Sequence, residues 1–170
     1  MLALIFAQHL VDLAHSIRMD CEIQGTCVLT VSGHEISLSA KADRLDTLHD
    51  QTIAILDYKS GQIPTYKGIQ ALEDVQLLLE AMILQKGGYP SLGKRICERI
   101  DYRQTKIGAS SLGSTCIKQP ALDELLADFE QHLESRLRCY LEGDFPFDYV
   151  SKPTAYFEPY AHLSRREAYQ

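Results

Sequence analysis

The chain has 170 residues and a mass of 19.2 kDa, the size of a single domain with one hydrophobic core. Hydrophobic residues make up 45% of the sequence and charged residues 24%, a balance that excludes a disordered or fibrous protein. The formal net charge is -6 and the pI is near 5.5, which argues against a polyanionic partner for the chain taken as a whole.

Membrane and secretory classes are also excluded by the sequence. The apolar opening at residues 2–7 is short and has no basic residue before it, and no other segment reaches about 18 apolar residues. We therefore expect a cytoplasmic protein with no membrane partner. The five cysteines include no Cys-x-x-Cys pair, so they predict buried free thiols rather than disulfides or a zinc site.

The first part of the chain predicts one helix and three strands. Apolar residues at helical spacing predict a helix over residues 2–18. Segments rich in β-branched or alternating apolar residues predict strands at residues 24–31, 35–45 and 52–59, with a Ser-Gly turn between the first two. Consecutive strands joined by short turns predict an antiparallel meander.

The second part predicts a helical crossover and a long final helix. A helix over residues 69–86 leads to a fourth strand at residues 95–103, residues 106–115 have a loop composition, and a helix runs from Pro120 to Gly143. Apolar and basic residues alternate in the fourth strand and predict two distinct faces, Ile96, Ile100 and Tyr102 against Arg95, Arg99 and Arg103. The pattern predicts an α/β fold with a mixed central sheet, begun by the antiparallel meander and flanked by helices.

Charged side chains end the third predicted strand. The two-residue period of a strand puts Asp57 and Lys59 on one face and Tyr58 on the other. Asp43 lies near the end of the preceding strand, so a meander brings it towards Asp57. Two close carboxylates repel unless a cation lies between them, and Mg²⁺ prefers one or two carboxylates completed by waters and phosphate oxygens. The pair predicts a metal site, beside which Lys59 would act on a water or on phosphate charge.

A glutamine in the following helix adds an independent indication. Gln76 interrupts a predicted apolar stripe that faces the sheet, and a buried amide needs partners such as the Asp57–Lys59 pair would provide. Each of these residues also has an ordinary interpretation. Asp57 and Lys59 can form an exposed ion pair, Asp46 can be a turn residue paired with Arg44, and Gln76 can be a satisfied core amide.

Three segments carry a family pattern in order along the chain. Residues 42–46 read ADRLD, residues 55–64 read ILDYKSGQIP and residues 75–81 read VQLLLEA. Together they resemble the PD-(D/E)XK nuclease superfamily, specifically its RecB-like branch, whose pattern is an Asp-Arg-Ile-Asp strand, an Asp-Tyr-Lys-Thr-Gly strand and a Gln-Leu helix. Residues 159–169, which read PYAHLSRREAY, add a resemblance to the carboxy-terminal nuclease domain of AddB, a helicase-nuclease subunit.

The resemblance implies a restriction-endonuclease-like fold and hydrolysis of phosphodiester bonds in DNA. It implies that Asp43, Asp57 and the backbone carbonyl of Tyr58 bind Mg²⁺ or Mn²⁺. Lys59 would position the attacking water, and Gln76 would orient Lys59 or contact the DNA backbone. It further implies an exonuclease of double-strand break repair and recombination, with DNA and a helicase-nuclease subunit of AddA type as partners. The clustered cysteines of iron-sulfur relatives are missing, so no iron-sulfur cluster is expected.

The sequence departs from the family pattern upstream of the sheet. The usual further His or Glu has only weak substitutes in His9, Asp12 and His15, each of which is more typical of an ordinary helix residue. This leaves a second interpretation, a nuclease-fold module that no longer cuts and instead binds DNA or a protein. A small-molecule binder with an accidental likeness is a third, against which the order of the motifs argues. Since AddB is much longer, residues 1–170 are expected to form one domain of a larger protein.

The acidic balance is confined to one region. Residues 119–150 contain eight acidic and two basic residues, which accounts for the whole net charge of -6. Residues 86–106 contain six basic and two acidic residues, on and beside the fourth predicted strand. The acidic pI therefore does not exclude DNA as a partner, and predicts that the domain alone binds it weakly.

Overall fold

The structure, a computed structural model, describes residues 10–12, 14–105 and 113–143. The strands are β1 (Ser16–Val31), β2 (His34–Leu48), β3 (Ile53–Lys59), β4 (Cys97–Gln104) and β5 (Ser114–Lys118). The helices are α1 (Tyr66–Gln70), α2 (Gln76–Gln85) and α3 (Ala121–Glu142). Within the described ranges, no helix combines the length and the apolar character that a bilayer crossing requires.

The five strands form one sheet in the order β1-β2-β3-β4-β5. The pairs β1–β2, β2–β3 and β4–β5 are antiparallel, and β3–β4 is parallel. Ser32 and Gly33 join the first two strands with φ angles of 48° and 79°, as in the two-residue turns whose twist suits a hairpin. Parallel strands need a crossover, which α1 and α2 provide. The predicted α/β fold, with a mixed sheet that begins as an antiparallel meander, is confirmed.

Helix α2 fills the space between the sheet and α3. It contacts β1, β2, β3 and β4 on one side and α3 on the other. Its buried apolar residues are Leu77, Leu78, Ala81, Met82, Ile83 and Leu84. Because neighbours cover opposite sides of the helix, its sequence is apolar almost all round rather than along one stripe. This burial fixes the first residue of α2 relative to the sheet.

The predicted helix over residues 69–86 is wrong in one respect, because it is two helices. Between α1 and α2, Leu72 has a φ of 55°, which a right-handed helix does not accommodate. Gln76 is therefore the first residue of α2 and not a member of a continuous helical stripe. The break brings its side chain to the end of β3.

Two other element boundaries differ from the prediction. The first helix was expected to continue to residue 18, but β1 already begins at Ser16, which pairs with Leu48. Residues 1–9 lie outside the described residues. The loop predicted over residues 106–115 is wrong at its end, where Ser114 and Thr115 pair with β4. Both boundaries are set by pairing with a neighbouring strand, which the local spacing of apolar residues does not indicate.

The final helix is confirmed. It ends at Gly143, whose φ of 76° is the left-handed conformation that glycine favours after a helix. Its buried residues are Leu122, Leu125, Leu126 and Phe129, whereas Leu141 in the last turn is 40% exposed.

Two expectations about burial are corrected. Ile96 precedes β4 and is 60% exposed, while Cys97 is buried in its place, since the register of β4 against β3 shifts at this point. All five cysteines are free thiols as predicted, but only Cys27 and Cys97 are buried, and Cys21 and Cys116 are exposed.

Candidate active site

The end of β3 lies beside the middle of β2, which brings the predicted metal-binding residues together. Strands β2 and β3 are paired from Thr47 opposite Ile53 to Arg44 opposite Leu56. One residue further on, the backbone N–H of Tyr58 donates to Asp43 Oδ2 at 3.3 Å. Asp43 therefore lies beside the segment that carries Asp57, as the meander predicts.

Asp57, Lys59 and Gln76 form one hydrogen-bonded cluster. Lys59 Nζ lies 3.2 Å from Asp57 Oδ1 and 3.1 Å from Asp57 Oδ2. The same ammonium donates to Gln76 Oε1 at 2.6 Å, and Gln76 Nε2 donates to Asp57 Oδ1 at 2.8 Å. Asp57 is only 3% exposed, whereas the Lys59 side chain is 30% exposed. Asp57 and Lys59 therefore do not form the exposed ion pair of the ordinary interpretation. They belong to a half-buried cluster in which the Asp57 carboxylate is almost fully covered.

Glu80 is a member of this cluster that sequence reasoning missed. It lies one turn beyond Gln76 on α2 and accepts from Gln76 Nε2 at 3.2 Å. Burial raises the pKa of Glu80 to about 8; the Gln76 hydrogen bond lowers it, while the Asp57 and Asp43 carboxylates raise it further. The available signal was an acidic residue at i+4 from Gln76 within an otherwise apolar segment.

Tyr102 connects the start of α2 to the sheet and was also missed as a site residue. It lies on β4 opposite Asp57. Its hydroxyl donates to Asp74 Oδ1 at 2.5 Å and accepts from the backbone N–H of Leu77 at 3.2 Å. Asp74 Oδ1 also accepts from the backbone N–H of Gln76 at 3.3 Å. Two of the N–H groups that a helix start leaves unpaired are satisfied in this way, and Gln76 is held beside Asp57.

The other face of the sheet carries a set of buried charges, which we call the opposite-face cluster: Asp12, Arg44, Asp46, Asp101 and Arg103. Arg44 donates to both oxygens of Asp46, at 2.8 and 2.6 Å, so the predicted local ion pair exists within a strand rather than a turn. Asp12 contacts Arg44 at 3.4 Å and also pairs with Arg103, which in turn donates to Asp101 at 2.8 Å. The face of β4 predicted to be basic is therefore a mixed ionic one.

This arrangement separates one of the upstream substitutes, Asp12, from the metal site. Asp12 contacts residues of the face opposite to Asp57. His15 is exposed and its ring nitrogen Nδ1 lies 2.7 Å from the carbonyl oxygen of Val11. His9 lies outside the described residues.

The donor set at the site suits a hard divalent cation. Asp57 Oδ2 is buried and makes no hydrogen bond, although the Lys59 ammonium lies near it. In the part of the chain that the structure describes, no group of three or more His, Cys, Asp or Glu side chains is arranged to hold a metal ion. Two carboxylates and a backbone carbonyl nevertheless fit Mg²⁺ or Mn²⁺, because such sites are commonly completed by waters and substrate phosphate oxygens.

The profile of the PD-(D/E)XK nuclease superfamily matches residues 5–154. A mixed sheet flanked by helices, with Asp57 and Lys59 at the end of β3 and Asp43 beside them within β2, accompanies that match. The chain belongs to the PD-(D/E)XK nuclease superfamily.

Individual relatives are similar over shorter stretches. An uncharacterized protein of Rickettsia typhi is 38% identical over 68 residues, and one of Rickettsia bellii is 37% identical over 68 residues. The matched segment covers 40% of this chain and 8% of each relative. Among solved structures, the crystal structure of SSO0001 is 14% identical with a TM-score of 0.37, covering 77% of this chain and 59% of that one.

Proposed function

We propose that this chain is a metal-dependent nuclease domain that hydrolyses phosphodiester bonds in DNA. The observation that carries the proposal is the cluster at the end of β3. There, a buried carboxylate of Asp57 keeps one oxygen without a hydrogen bond, while Lys59 is held at 2.6 Å by Gln76 Oε1. The Lys59 ammonium lies 3.1 Å from that oxygen, so a buried carboxylate with spare acceptor capacity and an oriented cation lie side by side, as metal-assisted phosphodiester hydrolysis requires.

The residues divide into metal ligands and a lysine with its orienting partner. Asp43, Asp57 and the carbonyl of Tyr58 would hold Mg²⁺ or Mn²⁺. When bound, the metal supplies a polarised phosphate oxygen and a water of lowered pKa. Lys59 places its ammonium at the open side of the cluster, where it can hold the attacking water or stabilise phosphate charge. Gln76 limits Lys59 to one position through its amide oxygen.

We also propose a biological setting. The three motifs resemble the RecB-like branch, and residues 159–169 resemble the ending of the AddB nuclease domain, so the domain would act as an exonuclease in double-strand break repair, in the cytoplasm, with a subunit of AddA type. In the Rickettsia relatives the matched segment is 8% of the chain, which agrees with a small unit of a long protein. The acidic balance predicts that the domain alone binds DNA weakly, and such a machine would deliver the strand to it.

The test is degradation of DNA by the purified chain with Mg²⁺, with Mn²⁺ and with a chelator. We expect metal-dependent loss of linear duplex DNA, with covalently closed circular DNA resistant because it offers no end. Asp57→Asn should abolish the activity, because it removes a ligand charge at constant size. Asp128→Asn makes the same change at an exposed position of α3 and should leave the rate unchanged.

Two outcomes would contradict parts of the proposal. Equal activity of the Asp57→Asn variant and the wild type would contradict the assignment of the site, and degradation of closed circles would contradict the exonuclease. Calorimetric titration with Mg²⁺ and Mn²⁺ addresses the inactive alternative. No metal binding at millimolar concentrations, together with retained DNA binding, would favour a nuclease-fold module that does not cut.

A further inference from the structure

The opposite-face cluster lies directly behind the candidate metal ligands. Arg44 is 3% exposed and Asp46 is 1% exposed, and the two bonds between them fix the plane of the guanidinium. Charges buried to this extent are costly unless they are well paired. Besides its bonds to Asp46, Arg44 uses its Nη1 atom to donate to the hydroxyl of Tyr58 at 2.8 Å.

Tyr58 is held from both faces of the sheet by two consecutive residues of β2. On the side of the candidate metal site, its backbone N–H donates to Asp43 Oδ2 at 3.3 Å. On the other side, its hydroxyl accepts from Arg44. Tyr58 is the residue between Asp57 and Lys59, and its ring is 37% exposed. A contact made by its side chain is therefore transmitted through one peptide unit to each of the two neighbouring site residues.

The contacts of Tyr58 lie where the backbone pairing of β2 with β3 stops. The last paired residues of these two strands are Arg44 and Leu56. Beyond that point, side-chain contacts and not a continued ladder decide how far Asp43 lies from Asp57. The affinity for a divalent cation that two carboxylates share depends on the distance between those carboxylates.

We propose that Tyr58 is a positioning residue, whose hydroxyl, bound to the buried Arg44 guanidinium, holds β3 against β2 and sets the Asp43–Asp57 separation for the metal. This rests on the proposed function for its metal-binding consequence. The side chain of Tyr58 itself touches neither metal nor substrate in this role. Its effect passes through the backbone of β3.

Tyr58→Phe tests the contact, because it removes only the hydroxyl and keeps the ring. The first measurement is amide hydrogen exchange at residue 58 in the metal-free protein, where we expect faster exchange as the bond to Asp43 opens more often. The second is calorimetry with Mn²⁺ alone, where we expect about tenfold weaker affinity, as for other residues that orient metal ligands. At saturating Mn²⁺ the kcat on linear DNA should return to near the wild-type value.

The matched control is Tyr66→Phe, which removes the same hydroxyl at an exposed position of α1 and should change neither measurement. Unchanged exchange at residue 58 in Tyr58→Phe would overturn the proposal. Faster exchange with unchanged Mn²⁺ affinity would overturn the positioning role and leave a structural contact. If the wild type binds no Mn²⁺, the proposed function fails, and exchange in the metal-free protein still decides whether Tyr58 joins the strands.

Discussion

Gln76 has only one amide orientation that its neighbours permit. Its Nε2 faces two carboxylates, Asp57 at 2.8 Å and Glu80 at 3.2 Å, and its Oε1 faces the ammonium of Lys59. The reversed amide would set an oxygen against both carboxylates and an NH₂ group against a cation. Glu80 thus helps to fix the amide that fixes Lys59. Because Glu80 is buried, its pKa is raised, and the stability of the folded protein depends on pH through this residue.

The pKa of Glu80 is raised from 4.5 to about 8 in the folded protein, mainly by burial. Between these two values the unfolded chain releases the proton and the folded chain keeps it. The stabilising contribution of the protonated carboxyl is therefore complete below pH 4.5 and decreases as the pH rises to about 8. The loss is at most about 1.4 kcal/mol for each pH unit within that window.

We predict that Glu80→Gln removes this pH dependence in the metal-free protein. A neutral amide cannot ionise, so the difference in unfolding free energy between variant and wild type should change in favour of the variant from pH 5 to 8. Urea unfolding in chelator at several pH values measures it. Glu134→Gln, an exposed change on α3, should run parallel to the wild type. A constant difference for Glu80→Gln would show that Glu80 ionises normally.

At the scale of elements, the start of α2 is held by a side chain from β4. The residue preceding α2, Val75, makes no side-chain cap, and Asp74 accepts from the Gln76 N–H in its place. Tyr102 binds both that carboxylate and the N–H of Leu77. One hydroxyl from the sheet thereby decides where the second helix begins. It is fully buried, so no water replaces it easily.

We predict that Tyr102→Phe destabilises the protein by about 1–3 kcal/mol, because it leaves a buried backbone N–H and part of a carboxylate without a partner. Chemical denaturation measures the loss. The exposed variant Tyr66→Phe should stay within about 0.5 kcal/mol of the wild type. A loss equally small in Tyr102→Phe would mean that the bonds to Asp74 and Leu77 contribute nothing net to folding.

At the scale of the molecule, charge is distributed unequally between outside and inside. The acidic residues of α3 lie mainly on its exposed side, opposite the buried leucines. Of the basic residues near β4, Arg103 pairs with Asp101 and Asp12 and so is committed to the interior of the fold. The basic surface that DNA could meet is thus smaller than the sequence count indicates.

The opposite-face cluster also ties the start of the described chain to the sheet. Asp12 is 4% exposed and lies between Arg44 and Arg103, which come from β2 and β4. We predict that Asp12→Asn costs about 1–3 kcal/mol in unfolding free energy, because it weakens the contacts of residue 12 with Arg44 and Arg103 and leaves each guanidinium with a single carboxylate, Asp46 or Asp101. Thermal and urea unfolding measure the loss.

Asp128→Asn, an exposed Asp-to-Asn change, is the matched control and should cost little. A small loss for Asp12→Asn as well would indicate that Asp46 and Asp101 satisfy both arginines by themselves. In that case the contacts of Asp12 would be dispensable for the sheet.

Much of the fold was predictable because its signals are local. Alternation of apolar residues, a Ser-Gly turn and a helix closed by Gly143 are read within a few residues, and the structure has the meander and the last helix where they were predicted. Strand β5 was not predictable, because in it only Ile117 is buried and pairing with β4 defines the rest. The break at Leu72 depends on tertiary packing in the same way.

The candidate site was likewise predictable only in part, because some of its features are local in sequence and others depend on tertiary contacts. The sequence by itself determined the residue types Asp43, Asp57, Lys59 and Gln76 and their approximate neighbourhood, since strand period and chain order decide which side chains share a face. Only the tertiary structure decided that Glu80 and Tyr102 belong to the cluster and that Arg44 reaches Tyr58 from the other face. Those contacts join residues distant in sequence or on opposite sides of a sheet, and burial, which gives them their strength, exists only once the chain is folded.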